Sequence, residues 1–207
     1  DEVHFGEHAF QVTGPTQSIL TAERLVLNFM QRLSGIATQT NRLSNLVNKF
    51  GVKLLDTRKT TPGLRLLEKW AVKIGGGVNH RIGLYDMILI KDNHIDYAGG
   101  ISKAVENVQH YLKQKNLDLK IEVELRSFKD VEEALTLDCI DRVLLDNFSP
   151  EDLNKAVSMI NHKIETEASG GIHEGNMIDY AQTGVDYISS GALTHTVKPL
   201  DLSLKIS

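Results

Sequence analysis

The sequence has 207 residues, of which 41% are hydrophobic and 24% charged, and a formal net charge of −4. That length and composition suit a globular chain with one large domain, or one domain and a small appendage. The acidic balance speaks against a general nucleic-acid binder, and no apolar run approaches the roughly 20 residues needed to cross a bilayer.

The single cysteine, Cys139, leaves no internal disulfide and fits a reducing, cytoplasmic setting. The chain opens on Asp1 without a signal-peptide pattern and reads as starting partway into a longer protein. Residues 1–18 are polar and rich in turn formers (Gly6, Gly14, Pro15). Ile19 to Leu33 predicts a helix that is apolar nearly all round and therefore buried on most sides, which makes Glu23 and Arg24 conspicuous charges. A second helix is expected over Thr38 to Lys49, ended by Gly51.

From residue 52 the pattern alternates. VKLLD, MILIK, LKIEVEL, RVLLD, KIETEA and DYISS read as strands. Between them lie helix-start signals: Thr61-Pro62, Ser102 ahead of the Val105, Val108, Leu112 stripe, Ser127 to Asp130, and Ser149-Pro150. Gly184 closes an expected helix from Glu174 to Thr183. Strand–helix alternation predicts a parallel sheet, because parallel strands need crossover connections. The competing architecture is an open doubly wound sheet. No G-x-G-x-x-G follows the first strand, so a closed α/β barrel is favoured, irregular and with fewer than eight strands.

The polar residues follow the strands: Asp56, Thr57, Arg58 and Lys59; Lys91, Asp92, Asn93 and His94; Asp146 and Asn147; Ser169, Gly170 and Gly171; Ser189, Ser190 and Gly191. One such cluster would be a turn, but five in register predict one pocket at the carboxyl ends of the barrel strands. In IEVEL the apolar set must face the helices, which turns Glu122 and Glu124 inward; an exposed edge strand is the bland alternative. Glu165 and Glu167 pose the same question without an assigned role. The two glycine-rich ends, 169–171 and 189–195, can be tight turns or a phosphate site reinforced by the helix starts that follow. Arg58, Lys59, His80, Arg81 and Lys91 form a set of cations in a net-acidic chain, which a polyanionic ligand would balance. Glu124 and Asp146 would hold a divalent metal or ribose hydroxyls.

These residues carry a resemblance. The run DTRKTTPGLRLLEKWAVKIGGGVNHRIGLYDMILIKDNHI, with AERLVLNFMQRLSGIAT, IEVE, LLDN, EASGGI and SSGALTH in the same order, resembles the quinolinate phosphoribosyltransferase (carboxylating nicotinate-nucleotide pyrophosphorylase) family from about Ile19 to the end. The resemblance implies transfer of phosphoribose from phosphoribosyl pyrophosphate to quinolinate, with magnesium, giving nicotinate mononucleotide, pyrophosphate and carbon dioxide. It implies quinolinate-carboxylate roles for Arg58, His80, Arg81 and Lys91, and for Arg24 supplied across a homodimer with shared sites, or a higher oligomer built from it. It also implies Lys59, Glu124 and Asp146 as catalytic groups. At phosphoribosyl pyrophosphate it implies Lys59, Glu122, Glu124, Asp146, Asn147, Ser169, Gly170, Gly171, Gly191 and His195, with Mg2+ at Glu124 and Asp146. Of the family's N-terminal sandwich domain only the last stretch, roughly 1–28, is expected here. It would be joined by the tail 196–207, leaving the barrel as 29–195.

Two rivals are weaker. A relative tied to molybdenum transport would lose part of the carboxylate-binding set. A non-catalytic nucleotide sensor would lose Lys59, Lys91 or the acids. All of these residues are present.

Overall fold

The computed structural model describes residues 1–205; positions 206 and 207, the end of the predicted tail segment, lie outside the described residues. Residues 1–15 are irregular and exposed. Helix α1 (Thr16–Asn48) follows, then β1 (Lys53–Leu55), α2 (Arg65–Ile74), β2 (Ile88–Ile90), α3 (Asp92–Ala98) and α4 (Ile101–Lys115). Next come β3 (Ile121–Leu125), α5 (Phe128–Ala134), β4 (Arg142–Asp146) and α6 (Pro150–Ile160). The chain ends with β5 (Glu165–Ser169), α7 (Met177–Ala181), β6 (Tyr187–Ser189) and α8 (Ala192–His195). All six expected strands form, and every ladder is parallel, in the order β1-β6-β5-β4-β3-β2.

The sheet wraps into a barrel. Val78 pairs with Leu55 on the outer side of β1, so the segment leading to His80 stands at one end of the strand order. Flat, that segment and β3 would be five strand spacings, about 24 Å, apart. Instead His80 Nε2 lies 2.9 Å from Glu122 on β3 and 3.3 Å from Glu167 on β5. Only a curled sheet brings those side chains together across its interior.

The two faces of the strands differ in chemistry. Leu54, Ile90, Ile121, Val123, Leu125, Val143, Leu145, Ala168 and Ile188 belong to one apolar cluster with the helices. The alternate residues, in register across the ladders, are Glu122 beside Arg142, Arg142 beside Glu165, and Glu124 beside Leu144. Glu167 stands beside Leu144 and Tyr187. The hydrophobic core is therefore the layer between strands and helices, while the barrel interior carries buried charge. Arg142 sits 4.0 Å over the Tyr187 ring and bonds Glu165 at 3.0 Å, closing the amino-terminal end of the barrel.

Several local expectations change. The two predicted N-terminal helices are one continuous α1. Gly35 does not break it: a Cβ there would stand 2.3 Å from the Lys198 carbonyl oxygen, so the glycine admits the returning tail. That tail is fixed by Leu200 N–H donating to Gln31 O and by Gln31 Nε2 donating to Leu202 O. Nor is the first half of α1 buried on most sides. Leu20, Leu25 and Val26 are exposed, and apart from Leu27 the buried residues start at Gly35. Thr61-Pro62 forms a turn ahead of α2, which begins only at Arg65, and α4 begins at Ile101 after Gly100 rather than at a Ser102 cap. Ser127 and Ser149 do cap α5 and α6, accepting from Asp130 N–H and Asp152 N–H. The helix before Gly184 is shorter than expected, Met177–Ala181.

Candidate active site

Because the strands are parallel, their carboxyl ends share one rim. The loop after β1 brings Arg58 and Lys59 there, the segment after the Val78 bridge brings His80 and Arg81, and the end of β2 brings Lys91. Glu124 lies near the end of β3, Asp146 and Ser169 end β4 and β5, and Gly191 follows β6. Asp146 pairs with Ser169 in register and lies two residues beyond Leu144, the partner of Glu124. It therefore shares the inner face with Glu124.

The cations on this rim differ in how they are paired. Lys91 Nζ stands 3.4 Å from Glu124 Oε2. Arg58 and Arg81 have no ion pair among the described residues. Burial, and then the neighbouring Arg58 charge, hold the Arg81 pKa below the usual arginine value. Like charges held close repel, and an anion bound between them relieves that repulsion.

Lys59 is placed by the far side of the barrel. The Thr194 hydroxyl donates to the Lys59 carbonyl at 2.8 Å, and the Lys59 side chain crosses Gly191 next to His195. Beneath this junction Arg32 of α1 donates to buried Glu68 (2.7 Å), to Thr61 Oγ1 (2.7 Å) and to the Thr194 carbonyl (3.3 Å). Glu68 Oε2 in turn accepts from Thr61 N–H at 3.0 Å. A second buried group, Asp56, accepts from Lys69, from Asn79 and from His80 N–H. Burial pushes the pKa of Asp56 up and that of Lys69 down, toward neutrality, while their mutual contact opposes both shifts. Arg32, Glu68, Lys69 and Asn79 escaped the reading from sequence. The available signal was the charged pair Glu68-Lys69 set between Leu67 and Trp70 in the middle of α2.

Asp146 and Gly170 are tied through Asn147. Asn147 adopts positive φ (58°), donates to Asp146 Oδ2 at 2.6 Å, and fills the space where a Gly170 Cβ would stand. The turn 169–171 is not followed directly by a helix start, because α7 begins at Met177. Glu122 lies below the rim, fully buried beside His80 and Glu167. Arg24 is exposed on α1 and its side chain makes no hydrogen bond or ion pair among the described residues, so the chain itself does not bring it to the rim. Glu124 and Asp146, two carboxylates on one face beside the Asn147 amide, are hard oxygen donors of the kind magnesium takes.

Residues 36–205 match the family described as quinolinate phosphoribosyl transferase, C-terminal domain. The chain belongs to the quinolinate phosphoribosyltransferase family. It is 51% identical over 220 aligned positions to quinolinate phosphoribosyltransferase [decarboxylating] 1 of Nicotiana glauca, using 100% of this chain and 62% of that protein. The chain thus spans under two thirds of that relative's length. It is also similar to the crystal structure of NadC from Streptococcus pyogenes (TM-score 0.87, 42% identity, 93% of this chain and 66% of that one). The nicotinate-nucleotide pyrophosphorylase from Francisella tularensis superposes with TM-score 0.85 at 50% identity, over 91% and 65% of the two chains. The α/β barrel expected from the sequence is the fold of these quinolinate phosphoribosyltransferase relatives. No helix among the described residues is long and apolar enough to cross a membrane.

Proposed function

We propose that this chain carries the site that joins quinolinate to phosphoribose from phosphoribosyl pyrophosphate, releasing pyrophosphate and carbon dioxide and giving nicotinate mononucleotide for NAD biosynthesis. The observation that carries the reading is the pair Arg58 and Arg81, without an ion pair among the described residues, on the same rim as Lys91 and its partner Glu124. Guanidinium and ammonium donors match the two adjacent carboxylates of quinolinate. The acids stabilise positive charge as it develops on the ribose during loss of pyrophosphate. When carbon dioxide leaves, negative charge builds on the ring, and the same rim cations stabilise it. Lys59, laid across Gly191, addresses the phosphate end, with Ser169, Gly170, Gly171 and His195 around the 5′-phosphate. Asn147 fixes the Asp146 carboxylate by its hydrogen bond. Glu124 and Asp146 would hold Mg2+, which when bound neutralises charge on the departing pyrophosphate.

The protein is further read as a cytoplasmic homodimer in which Arg24 serves the neighbouring site, and residues 1–28 with the tail from 196 as the edge of a second domain. Exposed Leu20, Leu25 and Val26 beside Arg24 support an interface there. The test is substrate choice. With phosphoribosyl pyrophosphate and magnesium, kcat/KM for quinolinate should exceed that for nicotinate by at least about a hundredfold, because one carboxylate leaves cations unpaired. Comparable values would refute the reading.

A further inference from the structure

Arg65 opens α2 and is half-buried. The amino-terminal end of a helix disfavours a cation, so α2 gains nothing from an arginine there. No acid explains it either: Arg65 has no ion pair among the described residues. Its guanidinium is directed at two separate loops. Nε donates to Thr60 Oγ1 at 3.1 Å and Nη2 to the Arg58 carbonyl at 3.4 Å, both in the loop after β1. Nη1 donates to the Ile82 carbonyl at 3.1 Å, in the segment ahead of β2.

These two loops carry the two rim guanidiniums that lack an acid. Arg58 is itself an acceptor of Arg65, and Arg81 directly precedes Ile82. The Ile82 peptide is braced from both sides. Its carbonyl is held by Arg65, and its N–H donates at 2.7 Å to Asp86, which also accepts from Gly83 N–H at 2.9 Å. Among the described residues no other side chain hydrogen-bonds to both 57–61 and 81–86.

We propose that Arg65 is a positioning residue that determines specificity: it fixes the Arg58 and Arg81 loops at one spacing, and that spacing favours a ligand with two adjacent carboxylates over one with a single carboxylate. This rests on the substrate reading above. Two cations on loosely joined loops would each have to be ordered on binding, whereas cations already fixed bind without that cost. The gain goes only to a ligand that engages both. A planar fork of donors can hold three acceptors in different directions, which the single ammonium of lysine cannot. Lys59 is tied separately, through its carbonyl to the Thr194 hydroxyl and by its crossing of Gly191, so the phosphate end does not depend on the clasp.

Two measurements on the protein expressed from its complete coding sequence test this. The first needs no substrate. In Arg65→Lys, which keeps the charge and loses the fork, amide hydrogen exchange should speed up together in 57–61 and 81–86 and stay as in the wild type at 169–171. Unchanged exchange in the first two segments would overturn the clasp whatever the substrate is.

The second is a set of dissociation constants. Arg65→Lys should weaken quinolinate binding about tenfold but nicotinate and phosphoribosyl pyrophosphate by no more than about twofold. Thr60→Val removes one acceptor and keeps every charge. It should weaken quinolinate about threefold alone and add nothing, within about twofold, to Arg65→Lys. Should Arg65→Lys not fold, Thr60→Val decides by the same readouts. Wild-type quinolinate affinity in Arg65→Lys would reduce Arg65 to its charge. Equal losses for quinolinate and nicotinate, or losses that multiply with Thr60→Val, would overturn the spacing role. A wild-type protein that binds no quinolinate would instead overturn the substrate reading, leaving hydrogen exchange to decide the clasp.

Discussion

The Lys59 side chain lies so close over Gly191 that a Cβ at position 191 would stand 3.1 Å from Lys59 Cδ, and 3.0 Å from His195 Cδ2. The φ of Gly191 is ordinary (−66°), so it is this crossing, and not backbone strain, that calls for glycine. Gly191→Ala should therefore fold with little loss of stability but displace Lys59. We expect the KM for phosphoribosyl pyrophosphate to rise about tenfold with quinolinate binding unchanged, a loss of one charge-assisted contact. An unchanged KM would show that Lys59 does not need this track.

Gly170 should behave differently. Its φ is +94°, and a Cβ would meet Asn147 Oδ1 at 2.2 Å, so neither the backbone nor the neighbour has room. Gly170→Ala should cost about 1–3 kcal/mol of stability and lower kcat, since Asn147 also holds Asp146. Thermal unfolding and steady-state kinetics check both, and a variant with wild-type stability would contradict the packing described.

Arg32 and Glu68 join α1, α2, the Thr61 turn and the Thr194 turn. Arg32→Ala strands a buried carboxylate and should destabilise by about 2–3 kcal/mol, somewhat less than for a fully buried pair because Arg32 is partly exposed. Replacing both residues, as in Arg32→Met with Glu68→Leu, should recover much of that stability but not the KM for phosphoribosyl pyrophosphate. Recovery of both would reduce the pair to packing.

Glu165 supplies a pH dependence. Burial alone would raise its pKa, but the Arg142 hydrogen bond and charge outweigh burial and hold it below the ordinary glutamate value. A depressed carboxyl contributes stability that is present above its unfolded pKa and lost as pH falls through the folded one. Melting temperatures from about pH 6 to about pH 3 should fall less steeply in Glu165→Gln than in the wild type. Parallel curves would remove Glu165 from the acid sensitivity.

What the sequence discloses follows from locality. The six strands were legible as short apolar runs between helix-start signals, and the inward Glu122 and Glu124 because alternation in IEVEL states which face is apolar. The caps at Ser127 and Ser149 were legible because each is completed within four residues. Glu167 had no readable role, because its partners His80 and Arg142 arrive from distant segments only when the sheet curls. The sequence reads as two helices where α1 is one; Gly35, which falls between them, answers to a tail more than 160 residues away (Lys198, Pro199) and not to its own helix. The cation set at the rim was visible in composition. That His80 stands against buried Glu122 and Glu167 was not, since those acids come from other strands of the curled sheet.

The most direct test of the central claim is a product balance. Protein from the complete coding sequence, given quinolinate labelled in its 2-carboxylate, phosphoribosyl pyrophosphate and magnesium, should release labelled carbon dioxide, pyrophosphate and nicotinate mononucleotide in equal amounts. Asp146→Asn should lower the turnover far more than it weakens quinolinate binding. Pyrophosphate release without nicotinate mononucleotide, or no reaction from protein that binds both substrates, would contradict the account.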